Sequence, residues 1–135
     1  MTEMPNDTVL YVDGEESSRA VALDRLREQA RNVTLVAATS LADAREVLRS
    51  RPVDCVVTEY DLPDGTGLDV VEAVREHAPQ TPSVLYTDVQ PGEIDTSSFG
   101  DVIVEYLNRD LPDARDRLTF VADDVIAHSA QVGFL

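Results

Sequence analysis

The amino-acid sequence predicts an α/β fold in which five parallel strands form one sheet covered by helices on both faces. Three observations predict it. Short apolar runs alternate with longer amphipathic stretches, strand and helix five times along the 135 residues. The short runs are nearly continuous in Val, Leu and Ile, as strands buried on both faces are, rather than alternating apolar with polar. Pro, Gly, Ser and Asp punctuate the joins between runs.

The elements follow in order. Val9-Leu10-Tyr11-Val12 reads as a buried strand closed by Asp13-Gly14. Ser17 and Ser18 are placed to cap a helix over about 18–30, with Ala22, Leu23, Leu26 and Ala30 on one face. Val33 to Ala38 is the second strand. Ser40, with Asp43 three residues on, resembles a capping box with Asp for Glu; it opens a helix over Leu41, Ala44, Val47 and Leu48 that Pro52 stops. Val53 to Thr58 is the third strand. A loop with Pro63, Gly65 and Gly67 leads to a helix over Val70, Val71, Val74 and Ala78, ended by Pro79. Ser83 to Thr87 is the fourth strand and Val102 to Leu107 the fifth. Leu118, Val121, Ala122 and Val125 recur at helical spacing, so a last helix covers about 112–130. Between the fourth and fifth strands, DVQPGEIDTSSFGD offers only Ile94 and Phe99 as large apolar residues, with poor helix formers around them. The expected fourth helix is therefore short or degraded.

The length fits a single domain, 1–135. Acidic residues number 26 against 11 basic ones, a net charge of −15, and every basic residue is an arginine. Such a surface repels phosphate backbones and anionic membranes, which argues against direct nucleic-acid or membrane binding. The acids are spread through the periodic segments rather than blocked into a tail, so the reading is a salt-adapted folded surface. The single cysteine, Cys55, sits in an apolar run, where a small buried side chain is the ordinary role. No apolar run approaches the ~18 residues that span a membrane, and MTEMPNDT lacks the pattern of a signal peptide, so a cytoplasmic location is expected.

In a parallel sheet of this kind ligands sit beyond the carboxyl ends of the strands. The residues there are Asp13, Gly14 and Glu15 after the first strand and Glu59 and Asp61 after the third. Thr87 and Asp88 follow the fourth, and Asn108 and Arg109 the fifth. VLYVDGEES, VDCVVTEYDLPDGTGLDVVEAVRE, PSVLYT and EYLNRD resemble the successive motifs of the receiver domain of two-component response regulators, and the resemblance runs from Val9 to about residue 126. It implies a flavodoxin-like three-layer sandwich with strand order 2-1-3-4-5. It also implies phosphoryl transfer to an aspartate at the end of the third strand, with Mg²⁺ held by that aspartate and two acids after the first. A Ser or Thr after the fourth strand then bonds the phosphoryl oxygen, a Lys after the fifth pairs with it, and a nearby aromatic reports the state.

Set on this sequence, the resemblance matches Asp13 to the first acid and Thr87 and Tyr106 to the switch pair. It also exposes three departures. Gly14 stands at the second acid, Glu59 at the phospho-accepting aspartate and Arg109 at the lysine. Gly14 deletes a ligand from a metal that demands near-ideal octahedral geometry. Glu59 carries an extra methylene, and displacements of about an ångström cost on the order of 100-fold in tuned sites. Arg109 has a planar fork suited to gripping a carboxylate, so a standing Glu59–Arg109 pair is expected. The resulting expectation is a pseudo-receiver: not an enzyme, without a cofactor, and acting through protein contacts. Glu59 either mimics the activated state or plugs the site.

Other roles are weighed beside this one. Asp61 could substitute as acceptor, giving a working receiver with an atypical acidic site. Glu15 could replace the ligand lost at Gly14 and leave weak Mg²⁺ binding at Asp13, Glu15 and Glu59. Thr87 and Tyr106 could be packing residues, and the whole domain a structural or dimerising module. His77 reads as a solvent residue at a helix end, and His128 has no neighbours at metal-ligand spacing. No GxxxxGK pattern exists, and a flavin or nucleotide site finds no phosphate cradle. The end HSAQVGFL leads to the expectation of an N-terminal piece of a longer signalling protein. Haloarchaeal receiver-like segments that this one resembles are often followed by GAF or PAS sensor domains or an output region. The partners so implied are a sensor kinase or an adjoining domain.

Overall fold

β1 (Asp7–Val12) is buried along nearly its whole length, and its side chains show why the sheet needs two covering layers. Val9 and Tyr11 join Ala22, Leu23 and Leu26 of α1 (Glu16–Gln29), together with Cys55, Val57, Val84 and Tyr86. Leu10 and Val12 join the opposite cluster, with Leu41, Ala44 and Leu48 of α2 (Leu41–Ser50) and Val70, Ala73 and Val74 of α3 (Gly67–His77). Successive strand residues face opposite sides, so one continuous apolar run feeds both layers. Truncating a side chain such as Leu26, 1% exposed, to alanine costs about 2–5 kcal/mol.

The computed structural model describes residues 7–29 and 33–88, and residues 103–108 as backbone. The remaining strands of the main sheet are β2 (Val33–Ala38), β3 (Cys55–Thr58), β6 (Ser83–Thr87) and β7 (Ile103–Asn108); β4 (Asp61–Leu62) and β5 (Gly65–Thr66) form a small antiparallel hairpin. The sheet runs β2-β1-β3-β6-β7 with every pairing parallel. The helix-covered parallel sheet expected from the sequence is therefore present. Most of the segment expected to hold a degraded fourth helix, the last helix over 112–130, His128 and Arg109 lie outside the described residues. Among the described residues no helix is long and apolar enough to cross a membrane.

Helix boundaries follow local chemistry. Ser40 caps α2 by accepting from Asp43 N at 3.1 Å, as its spacing predicts. The Asp43 carboxylate turns to Thr39, accepting from its hydroxyl at 2.7 Å, so the reciprocal half of the box is diverted by one residue. α1 corrects the sequence reading. It starts at Glu16, and Ser17 and Ser18 fall within its first turn instead of capping it. The reason is Asp13: its Oδ1 accepts from Glu15 N at 3.0 Å, and Glu15 O accepts from Arg19 N at 2.9 Å, so the turn closes two residues early. α3 carries a full capping box between Thr66 and Asp69. At its first residue, Gly67, a Cβ would lie 2.6 Å from the carbonyl oxygen of Glu59. Only glycine allows the helix to start this close to the end of β3.

Candidate functional site at the carboxyl end of the sheet

The parallel ladder carries the site residues together. Glu59 N donates to Val12 O at 2.9 Å, which extends the β1–β3 pairing by one step and sets Glu59 beside Asp13. Asp13 N donates to Ala38 O at 3.0 Å, fixing that residue from the β2 side. On the other side, Thr58 pairs with Leu85, so the end of β6 brings Thr87 to Glu59. Asp13, Glu59 and Thr87 are all buried, at 1%, 4% and 0% exposure.

Glu59 and Thr87 are in direct contact. The Thr87 hydroxyl donates to Glu59 Oε1. The same carboxylate oxygen accepts from Tyr60 N at 2.6 Å. The longer side chain has thus folded back under the amide of the following residue, Tyr60, and across to the next strand. Tyr106 lies on β7 opposite Leu85, with Asn108 opposite Thr87. The expected Glu59–Arg109 pair falls outside the described residues.

The metal corner is incomplete. Gly14 supplies no carboxylate, and a Cβ there would stand 2.9 Å from the Cδ of Pro63 and 3.2 Å from Thr39 O. Glu15 does not replace it: the side chain is exposed, and its Oε1 accepts from the Ser17 hydroxyl at 3.1 Å. Asp13 Oδ1 is engaged by Glu15 N, and its carbonyl accepts from Arg19 Nη1 at 2.9 Å. Among the described residues, no group of three or more His, Cys, Asp or Glu side chains is gathered for a metal ion. The weak Mg²⁺ set of Asp13, Glu15 and Glu59 considered from the sequence is not assembled, and these residues do not fit an octahedral divalent ion.

Asp61 is exposed on β4, paired with Thr66, and is not drawn into the pocket with Asp13 and Glu59. Cys55 is fully buried, and burial first, then the Asp54 charge, pushes its thiol up to about 12, so it is an inert core residue. His77 is exposed at the end of α3, with Nε2 4.0 Å from Glu76 Oε2.

One residue escaped the sequence reading. Asp64, in the turn of the hairpin, accepts from Leu41 N at 2.7 Å through Oδ1 and from Ala42 N at 3.0 Å through Oδ2. These bonds to the first amides of α2 hold its carboxyl below the usual aspartate range. Its position among turn residues hides a contact made across more than twenty residues of chain.

Comparison with known proteins agrees with this geometry. The response regulator receiver domain family matches residues 9–126. The response regulator protein PilR of Pseudomonas aeruginosa is 34% identical over 97 residues, covering 70% of this chain and 20% of PilR. The photosynthetic apparatus regulatory protein RegA of Cereibacter sphaeroides is 35% identical over 82 residues, 59% of this chain and 42% of RegA. The chain thus spans a fifth of one and under half of the other. Among solved structures, the signal receiver domain of an HD domain-containing protein from Pseudomonas fluorescens superposes with a TM-score of 0.83 at 21% identity, covering 97% of this chain and 94% of that one. A CheY-like receiver domain protein from Methanospirillum hungatei gives 0.77 at 15% identity, over 93% and 98%. With its sheet, its strand-end residues and its match over residues 9–126 in agreement, the chain belongs to the response regulator receiver domain family.

Proposed function

We propose that this receiver domain signals without being phosphorylated, the Glu59 carboxylate taking the place of a phosphoryl group. The observation that carries the reading is the hydrogen bond from the Thr87 hydroxyl to Glu59 Oε1. In a working receiver the hydroxyl at this position bonds the phosphoryl oxygen; here an oxygen of the protein itself already accepts from it. Between the two roles left open by the sequence, this favours mimicry of the activated state over a plug with no contact to the switch. The domain is then a recognition module rather than an enzyme.

The metal corner supports the same reading. Gly14 and Glu59 remove two of the parts that phosphoryl transfer needs, and the carboxylates that remain do not gather as a metal set among the described residues. Arg109 is the weakest of the three departures. A chain with no lysine anywhere presents arginine wherever it needs a cation, whereas no bias towards arginine explains Gly14 or Glu59.

The partners that suit such a module are proteins: a sensor kinase, or a neighbouring sensor or output domain of a longer cytoplasmic signalling chain. The net charge of −15 argues against nucleic acid and suits a salt-rich, haloarchaeal setting. The test is mass spectrometry after incubation with acetyl phosphate and Mg²⁺. An unmodified mass is expected. A phosphoryl adduct at Glu59 or Asp61 would overturn the reading in favour of a working receiver with an atypical acidic site.

A further inference from the structure

We propose that Asp64 is a positioning residue for Glu59: by tying the loop after β3 to the start of α2, it holds the Glu59 carboxylate under Thr87. The inference extends the reading of Glu59 as a phosphoryl stand-in, and its test is independent of whether the site accepts a phosphoryl group.

The chain between Glu59 and Gly67 leaves the sheet and returns as α3. It is closed at its base, where Gly67 N donates to Tyr60 O at 2.7 Å. Just beyond, Asp61 pairs with Thr66 and Leu62 with Gly65. At its tip, Asp64 accepts from Leu41 N at 2.7 Å and Ala42 N at 3.0 Å. Pro63 adds a side contact, its ring resting where Gly14 has no side chain. The loop is therefore held by its own hairpin at one end and by a different helix at the other.

Glu59 is tied to that loop through the Tyr60 amide. Its Oε1 accepts from Tyr60 N at 2.6 Å, so the direction of the Tyr60 amide sets where the carboxylate oxygen lies. That amide belongs to the peptide linking Glu59 to Tyr60, and the Tyr60 carbonyl is the one bonded by Gly67. A tilt of the hairpin about its base turns the Tyr60 backbone and carries Oε1 away from the Thr87 hydroxyl. Asp64 is the group that opposes this tilt, with two charge-assisted bonds to amides that a helix start leaves without partners within the helix. The depressed Asp64 carboxyl accords with bonds made by the ionised form.

Amide exchange and NMR shifts on the full chain test the tie, with Asp64→Ala to cut it and Asp64→Asn to retain one acceptor. In Asp64→Ala, exchange at Leu41 and Ala42 should accelerate by roughly five- to ten-fold, the scale of a lost cap. The discriminating signal is the Tyr60 amide. It should move upfield and exchange faster as its carboxylate bond loosens, and Asp64→Asn should restore it in part. Thermal melting of both variants separates this from global unfolding. If Leu41 and Ala42 respond while Tyr60 and Thr87 keep their shifts, Asp64 only caps α2 and the proposal is overturned. Unchanged exchange at Leu41 and Ala42 would overturn it as well.

Discussion

The Thr87 hydroxyl donates to Glu59 Oε1 across the β6–β3 boundary, and both side chains are buried. A bond to a carboxylate in such a place is worth more than an exposed one, because the acceptor has no water to fall back on. Thr87→Val keeps the shape and removes the donor. It should lower stability by about 1–3 kcal/mol, read as a shift in the thermal or urea midpoint. Thr87→Ser, which keeps the hydroxyl, should recover most of the bonding. A larger loss in Thr87→Ser than in Thr87→Val would show that the methyl group, through packing, matters more than the bond.

Acid stability should depend on two aspartates of opposite sign. Asp64 has its carboxyl lowered from 3.8 by the amides of Leu41 and Ala42. A depressed folded value means a contribution present in full above 3.8 and lost as pH falls through the lower, folded value. Asp7 is raised from 3.8, first by burial and then by Asp54. The contribution of Asp7 therefore runs the other way: it favours the folded state in acid and is lost as pH rises through the raised value. Asp64→Asn should flatten the acid limb of the stability curve below 3.8, and Asp7→Asn should be neutral or stabilising at pH 7. A pH titration of the melting midpoint for the two variants checks both signs.

Much of this was legible in the sequence because it is periodic. Apolar runs such as Val9–Val12 and Ser83–Thr87 announce strands buried on both faces, and strand ends announce where Asp13, Glu59 and Thr87 meet. Other features follow no period. The β4–β5 hairpin has two residues per strand, too few for any pattern to register. The link from Asp64 to α2 joins residues more than twenty positions apart and depends on how the loop folds over. The bonds that Glu59 Oε1 accepts from Tyr60 N and the Thr87 hydroxyl depend on side-chain torsion, which spacing does not encode, while the expected pair with Arg109 lies outside the described residues. The Thr66–Asp69 capping box was present in the sequence as T-x-x-D, but the neighbouring glycines and proline marked the stretch only as a loop.

The charge of −15 predicts a response to salt. Self-repulsion among spread surface acids falls as the Debye length shrinks from about 10 Å at 0.1 M to about 3 Å at 1 M. The melting temperature should rise from dilute buffer to molar salt, with potassium and sodium chloride acting alike if screening is the cause. A flat profile would count against a salt-adapted surface.

If the domain signals unphosphorylated as proposed, gaining phosphoryl chemistry should take paired changes. Glu59→Asp alone shortens the side chain and breaks the contact with Thr87, but leaves Gly14 without a metal ligand. Gly14→Asp alone adds a carboxylate while Glu59 keeps its contact with the Thr87 hydroxyl. Metal and acceptor act as a unit, and such units are strongly non-additive. The double variant Gly14→Asp with Glu59→Asp should therefore show weak, Mg²⁺-dependent labelling by acetyl phosphate where each single variant shows none. Weak labelling is expected because the new Cβ at position 14 would sit 2.9 Å from the Cδ of Pro63, so the ring must give way before the carboxylate can reach the metal. Adding Pro63→Ala should then raise the labelling of the double variant. Mass spectrometry of the four proteins with and without Mg²⁺ decides the matter. Labelling of either single variant at the level of the double would show that the site lacked only one part.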